Sequence, residues 1–410
     1  MKKFLTMMLS VVLAVSSLSL FTACGEEDEK VAALICLHGE GSSYDKNFID
    51  AFKAACEAKG LTEDQYTIVV DIPEDEPAYE KAAEFADAGY KAVFADSFGH
   101  EKFLIKAAKE FPNTQFCHAT GTAGGFVNTT ETTDDAPANF HNAFASIYEG
   151  RYLAGVAAGL KLIELYGEDI TPAESKIGYV GAWPFAEVKS GLTSFYLGVK
   201  SIVPGVTMEV RFTNSWYDPI AEQTAAEALI QGGAKLVSGH ADSYGVPTAC
   251  KNANIPNVFY NGTTNEDTFV IASKINWQPY FEHMLAGVME EGKSIVKDYV
   301  GTIATGSVEI TALGAAAAPG TQAKLDEVKD KLLSGEIKVF DCSTFTVNGQ
   351  PLTEYLADVV DDGTYEGETN VIKSENGVTY FAESEFRSAP YFDLIIDGIT
   401  VGADVVSPAA

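Results

Sequence analysis

Basic residues are scarce in this 410-residue chain: 28 lysines and arginines stand against 58 aspartates and glutamates, a formal net charge of -30. Such a field repels phosphate backbones, and no long basic run overrides it, so nucleic acid is excluded as a partner class. Histidine is sparse too, six residues with no H-x-x-x-H spacing to grip a metal. The six cysteines include no C-x-x-C. With Cys24 set aside, Cys36, Cys56, Cys117, Cys250 and Cys342 form an odd, scattered set, not a disulfide framework. Cys36 and Cys117 lie inside apolar runs and read as buried thiols. No cofactor is expected. Beyond the N-terminus no stretch offers 18 apolar residues in a row, so the remainder reads as a soluble body.

The N-terminus itself is different. Lys2-Lys3 precede an apolar stretch from Phe4 to Phe21, and Thr22-Ala23-Cys24 follow. Basic, hydrophobic, then small is the order of a secretory signal. A cysteine directly after the small residues looks like a lipobox, with Phe21 standing where leucine is usual. The acidic tether Gly25-Glu26-Glu27-Asp28-Glu29 favours a lipoprotein over a plain signal peptide or an uncleaved anchor. Residues 1–23 are therefore expected to be a signal peptide and 24–30 a lipid-anchored tether, with Cys24 lipidated at the extracytoplasmic face of the cell membrane.

What is abundant is alternation. Apolar runs at Val31–Leu37, Tyr66–Ile72, Lys91–Ala95 and Thr114–Ala119 alternate with helical patterns. Unbroken apolar strands between helices imply a parallel sheet covered on both faces. The series then restarts with strands at Lys176–Gly181, Met208–Thr213, Ala234–Gly239 and Asn257–Tyr260. Asp96-Ser97-Phe98-Gly99 is echoed by Asp242-Ser243-Tyr244-Gly245, and Pro112-Asn113 by Pro256-Asn257, in the same order. Two similar α/β lobes follow. The expected fold is α/β, two doubly wound parallel-sheet lobes joined by a multi-strand hinge. Residues 31–145 form lobe 1, with 265–345 returning to it and the hinge. Residues 146–264 form lobe 2, and 346–410 an acidic, turn-rich C-terminal extension. Ala138–Tyr166, between the lobes, has helical spacing and small residues that allow close packing. Lys338–Phe345 reads as a strand.

Ligands in parallel α/β sheets bind beyond the carboxyl ends of the strands. Here those ends carry Tyr44, Asp45, Asn47 and Phe48; Asp96 and Ser97; His118; Trp183; Trp216 and Tyr217; Asp242 and Ser243; Asn261. Aromatic faces beside short polar groups suit a flat small molecule with polar edges. Each residue has a plainer role open to it. Asp45, Asp218 and both Asp-Ser pairs also fit helix caps; Trp216-Tyr217 also fits core packing, and His118 a structural histidine. Ala95–Gly99 resembles the nucleophile turn of a serine hydrolase, but a hydrolase has no reason to repeat it and no oxyanion-forming H-G-G is present. No enzymatic activity is expected.

Further motifs follow in order: Y-D-K-N-F at 44–48, E-G-R-Y-L-A-G at 149–155, K-I-G-Y-V-G at 176–181 and S-W-Y-D-P at 215–219. Together with the lipobox-like cysteine, they resemble the basic membrane lipoproteins, purine-nucleoside-receptor-like binding proteins of ABC importers. The resemblance spans roughly residues 31–345. It implies a type I periplasmic-binding fold, a nucleoside, nucleobase or similar ligand held between closing lobes, and an ABC permease as partner. It also implies that Phe48 and Trp216 sandwich the ring, with Asp45 and Asn276 among the family's contact positions. Three positions depart from the family: His118-Ala119-Thr120 and Asn261 replace aspartates, and Asn276-Trp277 stand at a usual lysine. A lipid-anchored sensor without a transport role is the alternative reading.

Overall fold

The computed structural model describes residues 29–124, 127–128, 136–359 and 367–406. The signal segment 1–23, Cys24 and most of the tether lie outside the described residues. From its start the chain alternates β1 (Ala32–Ile35), α1 (Ser43–Ala58), β2 (Tyr66–Val69), α2 (Glu76–Asp87), β3 (Ala92–Ala95), α3 (Glu101–Glu110), β4 (Gln115–Ala119) and β5 (Phe140–Ala145). Next come α4 (Ile147–Tyr166), β6 (Lys176–Gly181), α5 (Ala186–Ile202), β7 (Thr207–Phe212), α6 (Pro219–Gln231), β8 (Val237–His240), α7 (Gly245–Ala253), β9 (Asn257–Tyr260) and β10 (Phe269–Ile275). Then follow α8 (Gln278–Met289), β11 (Asp298–Gly301), β12 (Val308–Ile310) and α9 (Thr321–Leu333).

Lobe 1's sheet has the order β11-β5-β4-β3-β1-β2, with every pairing parallel. Lobe 2's sheet is also parallel from β10 through β9, β8 and β6 to β7, with β12 antiparallel on one edge. The strands AALI and AVFA are buried along their whole length, as sheets covered on both faces require. The alternation thus encodes the architecture, as expected.

Two differences concern the sequence between and after the lobes. Ala138–Tyr166 is not one helix: Phe140–Ala145 forms β5 before α4 begins, because a buried strand and a buried helix share the same apolar composition. The expected packing face holds in α4, where Gly155 meets Gly198 of α5. A Cβ on Gly155 would lie 2.2 Å from Phe195 O, and one on Gly198 2.1 Å from Tyr152 O. Residues 265–345 also do not all return to lobe 1. α8 and β11 do, but β10 and β12 complete the sheet of lobe 2.

The chain crosses between the lobes at 145–147, 275–278 and 301–308, which makes the hinge. Asn276 brackets two of these crossings: its Nδ2 donates to Gly306 O and to Glu309 Oε1, each at 3.1 Å. Lys338–Phe345 is turn structure rather than a strand, held by an isolated bridge from Asp341 to Tyr380.

Past residue 346 lie a short ribbon, β13 (Leu356–Ala357) with β14 (Thr369–Asn370), and a hairpin, β15 (Ile372–Glu375) with β16 (Val378–Phe381). β17 (Ile399–Val401) then adds to lobe 2's edge parallel to β7. The extension also reaches lobe 1. Ser388 N donates to Asp298 Oδ2 at 2.6 Å, and Asn142 Nδ2 donates to Ser388 Oγ at 3.0 Å and Asp298 Oδ1 at 3.1 Å. It is therefore an integral strap across both lobes.

Candidate functional site

The strand ends of the two lobes meet around a narrow chamber of about 20 Å3. Lobe 1 contributes Tyr44, Asp45 and Ser97; lobe 2 contributes Glu187, Trp216, His240, Asp242 and Tyr260. The lobes are in direct contact around it. Ser43 N, at the start of α1, donates to Asp242 O at 2.9 Å. The His38 and Tyr217 rings meet at 5.3 Å, and Phe98 meets Phe185 at 5.9 Å.

Lobe 1's wall is internally satisfied. Ser42 caps α1, accepting from Asp45 N at 3.2 Å while its hydroxyl donates to Asp45 Oδ2 at 2.6 Å. Asp45 Oδ1 accepts from His38 N at 2.7 Å, pinning the loop after β1. Tyr44 Oη donates to Asp96 O at 3.0 Å, and Ser97 Oγ donates to Glu74 Oε1 at 2.6 Å. Behind this wall Asp96 Oδ1 accepts from Leu37 N at 3.1 Å. Burial, reinforced by the Asp45 charge, raises Asp96 well above the usual carboxylate range. Cys36, Asp45 and Asp96 each bring a ligand-type atom within 4.8 Å of the others. Burial and the neighbouring Asp96 and Asp45 charges push the Cys36 thiol well up.

Lobe 2's wall is not satisfied. Burial raises Glu187 to about 7 and lifts Asp242 well above the ordinary range, with Asp45, Glu222 and Glu187 adding repulsion to Asp242. His240 Nε2 and Tyr260 Oη are buried without a hydrogen-bond partner among the described residues. The His240 and Tyr260 rings lie 4.1 Å apart. No lysine or arginine lines the chamber. Its chemistry is aromatic faces, carboxyl groups and two polar atoms unpaired among the described residues. His118 reaches the carbonyl of Ser97 at 2.7 Å, not its hydroxyl, and Ser243 Oγ accepts from Gly245 N at 3.1 Å.

Of the residues expected at the site, Tyr44, Asp45, Ser97, Trp216 and Asp242 line the chamber. Phe48 does not. It lies one turn further along α1, fully buried in lobe 1's core and stacked on Trp277 at 4.3 Å. Tyr44 occupies the place expected for it. Asp96 sits directly behind the wall. His118 is a structural histidine after all, fully buried with its pKa lowered to about 4 by burial. Asn47 and Asn261 clamp the second crossing: Asn47 Nδ2 donates to Ile275 O, and Asn261 Oδ1 accepts from Ile275 N at 3.0 Å. Asn276 belongs to the hinge and Ser243 to the turn before α7. Trp183 lies flat on Phe185 (5.6 Å, 7°) at the cleft mouth, where Tyr217 also faces. Asp218 caps α6, accepting from Ile220 N and Ala221 N.

Glu187, His240 and Tyr260 were not foreseen, although signals existed. Glu187 stands in the first turn of the helix after lobe 2's first strand, as Asp45 does in lobe 1. His240 and Tyr260 end β8 and β9, where the strand-end rule directs attention.

Comparison with known proteins agrees with this geometry. The family model described as "ABC transporter substrate-binding protein PnrA-like" matches residues 34–341. A putative ABC transporter glucose-binding protein of Haloferax volcanii is 27% identical over 298 residues, 72% of this chain and 70% of that one. A purine-binding protein of Brucella abortus is 32% identical over 230 residues, 55% of this chain and 59% of that one. Among solved structures, an ABC transporter solute-binding protein from Conexibacter woesei superposes with a TM-score of 0.60 at 20% identity. That match covers 75% of this chain and 98% of the other, and it supports the two-lobed periplasmic-binding fold. No helix among the described residues is long and apolar enough to cross a membrane.

Proposed function

We infer that this chain, which belongs to the PnrA-like family of ABC transporter substrate-binding proteins, captures a nucleoside, nucleobase or similarly small aromatic solute between its lobes. Members of this family bind and deliver solutes without chemical conversion, and the partner implied is an ABC permease. The observation that carries the ligand class is the pairing of Tyr44 from lobe 1 with Trp216 from lobe 2 on one closed chamber. Aromatic contacts of this kind contribute about 0.5–1.5 kcal/mol each beyond area burial. The carboxyl groups of Asp242 and Glu187 provide acceptors for ligand N–H and O–H groups. The name of the Brucella abortus relative points the same way. Cys24 is the lipid attachment point in this reading, holding the protein at the extracytoplasmic face of the membrane.

The test is mass spectrometry of whatever co-purifies with the soluble chain, followed by titration calorimetry with nucleosides, bases and sugars. An aromatic heterocycle is expected to bind, and Trp216→Ala to weaken it by roughly threefold to tenfold, the size of one such ring contact. A sugar binding with undiminished affinity in Trp216→Ala contradicts the reading.

A further inference from the structure

Lobe 2's wall contains a hydrogen-bond chain that ring stacking does not use. Arg151, wholly buried on α4, donates from Nη2 to Ser238 Oγ at 2.7 Å and to Tyr179 Oη at 3.0 Å. Among the described residues the acceptor available to the Tyr179 hydroxyl proton is His240 Nδ1, 2.9 Å away. A guanidinium only donates, so the chain runs from Arg151 through Tyr179 to His240. His240 Nδ1 is then an acceptor, and the neutral imidazole carries its proton on Nε2. Burial and the Arg151 charge both push His240 well below the ordinary imidazole range, which keeps it neutral. That Nε2 is buried, unpartnered and on the chamber wall. Glu187 Oε1 lies 3.9 Å from it, beyond hydrogen-bond reach. The two atoms sit side by side without satisfying each other. Gly191 on α5 leaves the room this needs: a Cβ there would stand 2.4 Å from His240 Cε1.

We propose that His240 Nε2–H and the Glu187 carboxylate form a donor–acceptor pair that reads one edge of the bound ring. It selects heterocycles presenting an acceptor beside an N–H donor, the lactam or amidine edge of a purine or pyrimidine. This rests on the reading of the chamber as a heterocycle site. Arg151 and Tyr179 act as positioning residues that hold His240 in the donating tautomer. A ring alkylated at that N–H cannot satisfy both atoms at once, and leaving a buried group unpaired is the stronger source of discrimination. The titratable groups facing Glu187 are His240, Asp242, Tyr179, Tyr260 and, from lobe 1, Tyr44. Because the ionised carboxylate is the stronger acceptor for the ligand N–H, affinity rises as Glu187 ionises through about pH 7.

The experiment is calorimetry of the soluble full-length chain with three matched pairs: inosine and 1-methylinosine, adenosine and N6,N6-dimethyladenosine, uridine and 3-methyluridine. The unmethylated partner of at least one pair is expected to bind on the order of tenfold tighter or more. His240→Leu and Glu187→Leu are expected to bring that ratio near unity. Glu187→Gln, which keeps a carbonyl acceptor, should retain part of the preference but lose the rise with pH. Tyr179→Phe preserves the ring and removes the relay; it should lower the ratio while the ligand-free melting temperature of each variant controls for folding. Equal binding within every pair, or a preference that survives in both leucine variants, overturns the proposal while leaving the heterocycle site standing. If no heterocycle binds the wild-type chain, the underlying reading falls and the proposal with it.

Discussion

The two walls of the chamber are built on opposite plans. Asp45 in lobe 1 and Glu187 in lobe 2 both stand in the first turn of the helix after their lobe's first strand. Asp45 spends its oxygens on His38 N and Ser42 Oγ. Glu187 makes no hydrogen bond to the described residues and has only His240 at 3.9 Å. Lobe 1's acid therefore shapes a loop, whereas lobe 2's acid has no such partner among the described residues. The same contrast separates Ser97, bonded to Glu74, from Tyr260, whose hydroxyl is unpaired. The two halves share a strand–helix plan, and in the proposed reading structural and recognition duties are divided between them.

Exchanging the acids tests this division most severely. Asp45→Ala strips the acceptor from one buried and one half-buried donor and is expected to cost about 2–3 kcal/mol of stability, read as a drop in urea midpoint. Glu187→Leu should leave ligand-free stability unchanged or raised, because it removes an unpaired buried carboxyl. Equal destabilisation by both would erase the contrast.

A second effect is the response to pH. Glu149, Glu187, Glu222 and Glu383 are each raised to about 7 by burial. Unfolded glutamates titrate near 4.3, so the folded state holds more protons between the two values. Stability of the ligand-free protein is therefore full below about pH 4.5 for these groups and declines as pH rises towards 7. Each group contributes at most about 4 kcal/mol to that decline. Urea melts at pH 5 and 7 check the sign, and Glu187→Gln should flatten part of the slope.

The smallest expected effect lies at the rim. Phe98 is 42% exposed and packs on Phe185 across the cleft. Phe98→Ala should change ligand affinity by no more than about threefold, since exposed rim contacts contribute little next to desolvated ones. A larger loss would move the recognition surface outwards from lobe 2's inner wall.

The two-lobed fold was legible because apolar strands alternating with helices are a periodic signal that composition cannot disguise. β5 was not, since a buried strand running straight into a buried helix leaves no break in the pattern. About half of the chamber's lining was legible by the strand-end rule: Tyr44, Asp45, Ser97, Trp216 and Asp242 all face it. Phe48 failed because Tyr44 and Phe48 share one face of α1, and the depth of the cleft, which decides between them, is a tertiary quantity. Asn47, Asn261 and Asn276 failed for a related reason. The hinge crossings need side-chain amides to tie irregular backbone, and a polar residue at a strand end serves that need as readily as a ligand. The C-terminal strap offered almost no periodic signal. Its strands are short, and its anchors Ser388 and Asp298 are 90 residues apart.

The most direct test of the account is a crystal structure of the chain with the nucleoside or base that binds it. The account predicts a ring between Tyr44 and Trp216, with Phe48 still packed against Trp277. A ligand seated elsewhere, or a chamber that closes without one between those two rings, contradicts it.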